Sequence, residues 1–105
     1  MKLLLIAAIA LSLPTAALAD AQWQSKALKA VKAEKKVIDA RWRMAEQNVL
    51  WVAMEPNGSP RDGFAQSLCV GLAQAANDDT LKTVFIFDPA NYDDGVRAMG
   101  TAACR

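Results

Sequence analysis

The sequence predicts a small α+β domain, an αββαβ two-layer sandwich in which a three-stranded sheet carries two helices on one face. Two segments place their apolar residues at the 3.6-residue period of an amphipathic helix. Three other segments alternate in polarity or run continuously apolar, as strands do. Two cysteines far apart in the chain predict a crosslink that ties the C-terminal tail to this domain.

The N-terminus has the layout of a secretory signal peptide. Lys2 precedes an apolar run over residues 3–11, and an Ala-Leu-Ala stretch over 17–19 places small residues at −3 and −1 of a cut. The alternative, a membrane anchor, needs about 20 apolar residues, and this run is shorter. We therefore predict a signal peptide over residues 1–19, cleaved between Ala19 and Asp20.

Cleavage leaves residues 20–105, enough for a single small domain. No cysteine follows the cut, so a lipid anchor has no acceptor thiol. The predicted location is the periplasm or the medium, with no transmembrane segment after cleavage. The mature net charge is zero, since Lys2 is lost, but residues 26–43 carry a net +5 and the rest of the chain is acidic. Nucleic acid is a poor partner for an exported, neutral domain.

The first mature segment, residues 21–34, is predicted to form an amphipathic helix. Its apolar stripe contains Trp23, Ala27, Leu28, Ala30 and Val31, and its lysine stripe contains Lys26, Lys29, Lys32 and Lys36. Residues 37–44 and 49–55 alternate with period two, and their short connection predicts a hairpin. One side of this hairpin, facing the core, carries Ile38, Ala40, Trp42, Met44, Leu50, Val52 and Met54.

Turn residues 56–58 precede a second helix. Ser59 is predicted as its N-cap, Pro60 as its first residue and Asp62 as an acid near the positive end of its dipole. The helix is expected to end near Asn77. Residues 83–87 are apolar on both sides, which predicts a central strand, and a right-handed crossover is expected to place that strand beside the first one. Residues 90–105 predict at most a short helical turn and then an irregular tail.

Cys69 and Cys104 are the only cysteines. An even count in an oxidising compartment predicts a disulfide. The alternatives are a zinc site, which two cysteines without histidine do not build, and a redox pair, which lacks the CxxC spacing.

The order of elements over residues 21–88 resembles that of the BON domain, a bacterial αββαβ module implicated in envelope and lipid contact. The shared local feature is the Gly58 turn before the second helix. The stretches 50–54, 57–58, 61–65 and 68–69 are similar to small uncharacterised exported proteins of proteobacteria. Neither resemblance implies a mechanism or a functional residue.

Catalytic chemistry has few candidate residues in this sequence. The chain has no histidine, and no nucleophile, nucleotide or cofactor motif is found. Asp88, Asn91 and Asp93 lack the alternate-residue spacing of a calcium loop, so no metal site is predicted. The predicted function is non-enzymatic binding. The lower alternative is a carboxylate-only enzyme, which requires Asp88, Asp93 or Asp94 to converge in a pocket.

Two candidate contact surfaces remain. The first is the face opposite the helices, for a protein partner or self-association, and it comprises Val49, Trp51 and Ala53. One side of the third strand joins them, either Phe85 and Phe87 or Val84 and Ile86, and we take Phe85 and Phe87 as the candidate residues. Its alternative is that the C-terminal segment, including Tyr92 and Met99, folds over it. The second surface, for anionic lipid or cell-wall polymer, comprises Lys26, Lys29, Lys32, Lys36, Arg41 and Arg43. Its alternative is an ordinary solvated face.

Overall fold

The computed structural model describes residues 22–105, and these confirm the α+β class. The predicted signal peptide over 1–19, with its cut at Ala19 and Asp20, lies outside the described residues. The helices are α1 (22–32), α2 (Asp62–Ala76) and α3 (Pro89–Tyr92), and the strands are β1 (Val37–Met44), β2 (Val49–Met54), β3 (Lys82–Phe87) and β4 (Gly100–Cys104). A 3-10 turn, Ala45–Gln47, joins β1 to β2.

The sheet has four strands in the order β1-β2-β3-β4, so the predicted three-stranded sheet is wrong. The predicted hairpin of β1 and β2 is antiparallel, and β4 is antiparallel to β3. β3 pairs in parallel with β2 and not with the first strand as predicted. The positions of the two helices explain this difference. Helix α1 is bound to β1 and to the β1–β2 connection, so it occupies the space above β1. Helix α2 therefore packs above β3 and β4, and β3 pairs with the free edge of β2.

Helix α1 is held at its N-terminal part by three hydrogen bonds. The indole N–H of Trp42 donates to the carbonyl of Gln24 over 2.9 Å. The Gln24 side-chain amide donates to the carbonyl of Ala45 at 2.7 Å and to Oδ1 of Asn48 at 2.9 Å. Trp23 meets Trp42 edge to face, with ring centroids 5.5 Å apart. Both helices thus cover one face of the sheet, where the main core lies.

The core contains residues of α1, α2 and the three strands β1, β2 and β3. Its buried members are Ala27, Val31, Ala40, Leu50, Val52, Met54, Ala65, Leu68, Cys69, Leu72, Val84 and Ile86. Ile38 was expected among them but is 54% exposed. The strand register explains this: Val37 pairs with Met54 and Asp39 with Ala53, so Ile38 is the extra residue of a bulge. A second irregularity after Trp42 leaves Met44, also expected in the core, 39% exposed.

Helix α2 begins at Asp62, so its predicted N-cap at Ser59 is wrong. The Ser59 N–H instead donates to Oδ1 of Asn57. The Asp62 carboxylate accepts a hydrogen bond from the Thr101 N–H of β4, at 2.9 Å. At the other end, Asn77 takes the left-handed conformation and closes the helix, as expected near that residue.

The end of β3 buries a charged residue. Lys82 is fully buried, and its ammonium donates to Oδ1 of Asp78 at 2.5 Å and to the Asp78 carbonyl at 3.2 Å. The Lys82 hydrogen bond is the main cause of a lowered pKa at Asp78. A buried ammonium needs such partners, so Asp78 fixes the loop between α2 and β3.

The disulfide between Cys69 and Cys104 is present, as predicted, with 5.9 Å between the two Cα atoms. It joins the middle of α2 to the end of β4, a strand in the segment predicted to form an irregular tail. β4 was not predicted because glycine and alanine, which make up most of it, have low strand propensity. β4 forms because it pairs with β3 and is joined to α2 by the Asp62 hydrogen bond and the disulfide.

We expect replacement of both cysteines by alanine to lower the free energy of unfolding by about 4 kcal/mol, because the crosslink closes a chain segment with a sequence separation of 35. Urea unfolding followed by tryptophan fluorescence measures this change. Addition of reductant to the variant should change nothing further. An unchanged free energy of unfolding in the variant would show that the crosslink does not stabilise the fold.

Candidate functional site

The candidate site is the outer face of the sheet, which we define as the face turned away from α1 and α2. Strand register places these residues on it: Asp39, Arg41, Val49, Trp51, Ala53, Thr83, Phe85, Phe87, Thr101 and Ala103. Of the helices described, only α3 packs on this face: Tyr92 is buried against Ala53 and Phe87. Helix α3 therefore covers the end of the outer face at Ala53 and Phe87. No described helix covers the rest, from Trp51 and Phe85 to Thr83 and Ala103, which we call the open end.

Helix α3 covers one end of the surface predicted for a partner. Ala53 and Phe87 are buried in a cluster with Tyr92 of α3. Val49, at the other end, is buried but is not part of that cluster, and Trp51 and Phe85 are half-buried. The alternative cover weighed from the sequence, the C-terminal segment, is present in part. Tyr92 lies over this face, but Met99 packs against the main core on the other side.

Trp51 is the centre of a cluster of aromatic and arginine side chains. Its ring centroid lies 4.9 Å from that of Phe87. The guanidinium carbons of Arg41 and Arg43 lie 5.6 and 5.3 Å from the centroid, within the range of cation–π attraction. Arg41 also lies 4.6 Å from the Tyr92 ring centroid. The indole is consequently held in place on several sides.

Gly95 completes the cluster. It follows α3 with φ of +67°, and a Cβ built on it would overlap the six-membered ring of Trp51. Only glycine suits both the conformation and the contact. No local sequence pattern predicts that Gly95 touches Trp51, because the contact depends on α3 folding back over the sheet.

Among the described residues, the β1 edge of the outer face carries one uncompensated positive charge, because Asp39 at this edge pairs with Lys32. Arg41 lies 3.6 Å from the Asp93 carboxylate, and this exposed pair is screened by solvent. Arg43 is exposed and has no carboxylate within 4.0 Å among the described residues. An incoming acidic group therefore meets at least one uncompensated guanidinium beside Trp51.

The predicted anionic-contact residues divide between two sides of the domain. Lys26, Lys29 and Lys32 lie on α1, in the helical layer, and Lys36 follows in the turn before β1. Arg41 and Arg43 contact Trp51 on the outer face. Lys32 pairs with Asp39 at 3.7 Å, and the other lysines of the set have no ion-pair partner within residues 22–105.

The aspartates considered for acid–base chemistry do not line the groove between α1 and α2. Asp88 accepts the Ala90 N–H as the N-cap of α3. Asp93 and Asp94 are exposed in the turn that follows. No group of three potential metal ligands is found among the described residues. The groove between α1 and α2 is lined by one carboxylate, Glu34, and by none of these aspartates.

No family model, curated protein or solved structure matches the chain. Within residues 22–105, no helix has the length and apolar character needed to cross a membrane.

Substitution of Gly95 by alanine tests the Trp51 cluster. We expect the free energy of unfolding to fall by about 2–4 kcal/mol, since the change adds backbone strain and displaces the indole. Gly58, with φ of +81° and open space around it, is the matched control. Its replacement by alanine should cost roughly 1 kcal/mol, from strain alone. Equal losses from the two variants in urea unfolding would argue against a close contact between Gly95 and Trp51.

Tyr92, the only tyrosine, gives a spectroscopic test of the covered end. Burial, with a smaller effect of Asp39, raises the pKa of its phenol from 10.0 to about 12. Since the folded-state pKa lies above the unfolded value, Tyr92 favours folding fully below pH 10 and this contribution is lost as pH rises toward 12. Phenolate absorbance should follow this titration, and the Tyr92→Phe variant should lose that part of the alkaline destabilisation. A midpoint near 10 in the folded protein would mean that Tyr92 is solvated.

Proposed function

We propose that this chain is an exported, non-enzymatic protein that binds a protein partner, or a second copy of itself, through the open end of the outer face. The observation that carries the proposal is the half-buried pair Trp51 and Phe85, at the middle of a sheet face that α3 covers at one end only. Apolar surface of this kind commonly marks an interface. Three of the five residues first expected at this surface are buried, so the proposed contact is narrower than the sequence suggested.

The composition of the open end suits protein recognition. Tryptophan and arginine are the residue types that most often dominate binding energy at interfaces. Trp51 is already fixed by Arg41, Arg43 and Gly95, so little side-chain freedom remains to be lost on binding. Thr101 and Ala103 of β4 continue the surface beside Phe85 and Thr83, and both are exposed. The partner expected here offers an apolar patch bordered by acidic groups.

Export is part of the same proposal. A disulfide between Cys69 and Cys104 is compatible with an oxidising compartment. The predicted signal peptide over residues 1–19 supports a periplasmic or secreted location. Intact-mass analysis of protein from its native host should give a chain that begins at Asp20.

The binding test uses a photo-crosslinking residue at Thr101, which is exposed on the outer face, and a matched one at Gln74, which is exposed on α2. We expect one specific product from position 101, in purified concentrated protein if a second copy binds and in envelope fractions if a different protein binds. Arg43→Glu should reduce that product at least tenfold, since it reverses a charge at the surface. Equal products from both positions, or none from position 101 in either preparation, would refute the proposal.

A second candidate function is association with an anionic envelope surface through α1. It is supported by the exposed lysines Lys26, Lys29 and Lys36, which have no ion-pair partner among the described residues. Each basic residue near an anionic membrane adds about 1 kcal/mol of attraction. The BON domain, which the order of elements resembles, is implicated in envelope and lipid contact, as this candidate function requires. A relationship to that domain remains a prediction.

Sedimentation with vesicles of anionic phospholipid measures the second candidate. Binding should weaken as salt rises and should fall at least tenfold in the Lys29→Glu, Lys32→Glu double variant. Arg43→Glu, on the other side of the sheet, is the control; it changes the net charge by two units, half the change in the double variant. Absent or salt-insensitive association excludes this function.

A further inference from the structure

Beyond the outer face, a groove of about 210 Å³ runs between α1 and α2. Its walls include small residues, Ala27 and Ala30 from α1 and Gly71 and Ala75 from α2. Small side chains on facing helices leave the space between them unfilled. Leu68 and Leu72, which are buried, supply part of the lining from the core side.

Two charged residues line the groove. Lys26 lies on α1, and Glu34 lies two residues beyond the end of α1. Lys26 is exposed and has no carboxylate within 4.0 Å among the described residues. Lys29 follows one turn later. A negative group is therefore attracted to Lys26, beside which no described carboxylate compensates the charge.

An apolar groove of this size with one cationic end has the shape and charge of a site for a single-chain anionic amphiphile. Its volume corresponds to about seven groups of water size at roughly 30 Å³ each. A second copy of the chain is a poorer occupant, because its approach to this face would bring the lysine stripes of two α1 helices together.

We propose that this groove binds a medium-chain fatty acid, with the hydrocarbon chain between α1 and α2 and the carboxylate at Lys26. Each methylene that leaves water should strengthen binding by roughly fourfold until the groove is filled. The site lies on the opposite side of the sheet from the outer face. Its failure would therefore leave the proposed protein contact untouched.

Calorimetry with octanoate, decanoate and dodecanoate, each below its micelle concentration, tests the site on the mature protein. Binding should tighten with chain length. Decanol should bind more weakly than decanoate, because it lacks the charge that Lys26 attracts. Lys26→Glu should weaken decanoate binding at least tenfold, whereas Lys36→Glu, the same charge change outside the groove, should change it by less than threefold.

Gly71→Leu is the steric test, and Gly63→Leu is its control on the same helix. A Cβ at either position meets no atom within 4 Å, so both variants should fold. Leucine at 71 fills the groove and should abolish decanoate binding, while leucine at 63 should leave it unchanged. Binding that survives Gly71→Leu, or no binding by the wild-type protein, would overturn the proposal.

A wild-type dimer that Gly71→Leu converts to a monomer would assign the groove to a second copy instead. Vesicle association through the lysines should persist in Gly71→Leu, which separates this site from the second candidate function.

Discussion

Attachment of β4 to helix α2 is the constraint on which the sheet depends. The Arg61 N–H donates to the Met99 carbonyl at 2.9 Å, the Asp62 carboxylate accepts the Thr101 N–H, and the disulfide joins Cys69 to Cys104. Gly100 lies so close to the Arg61 backbone that a Cβ would collide with it. A strand made largely of glycine and alanine has little propensity of its own. Contacts at both ends of the strand compensate for that weakness.

The position of β4 also shapes the candidate site. With β4 in place, β3 is central, and Phe85 lies between Trp51 of β2 and Thr101 of β4. The two faces of the sheet then differ: α1 and α2 cover one face, whereas α3 covers only the Tyr92 end of the other. Loss of β4 would remove one side of the open end and expose an edge of β3. The crosslink therefore affects both stability and the proposed binding surface.

Sequence patterns predicted the elements whose residues carry a strong periodic signal. The amphipathic helices, the β1–β2 hairpin, the central apolar strand and the disulfide all follow from local patterns and are present. Features that depend on contacts between distant parts of the chain were not predicted by these local patterns. The bulge at Ile38 breaks the period of β1, Asp62 binds β4 and not its own helix end, and the β2–β3 pairing depends on where α1 lies. At the candidate site, Trp51 and Phe85 were identified by alternation, but the contacts of Gly95, Tyr92 and the two arginines arise only when the chain folds back.

Native-state hydrogen exchange measures the dependence of β4 on its attachment most directly. In the oxidised protein, the amides of Gly100, Ala102 and Cys104, whose residues pair with β3, should be protected nearly as well as those of β2. After reduction of the Cys69–Cys104 disulfide, the loss of global stability should lower protection in β2 as well, and we expect the three β4 amides to lose at least tenfold more protection than the β2 amides. Undiminished protection of β4 in the reduced protein would contradict the account, since it would show that the strand holds its place without the crosslink.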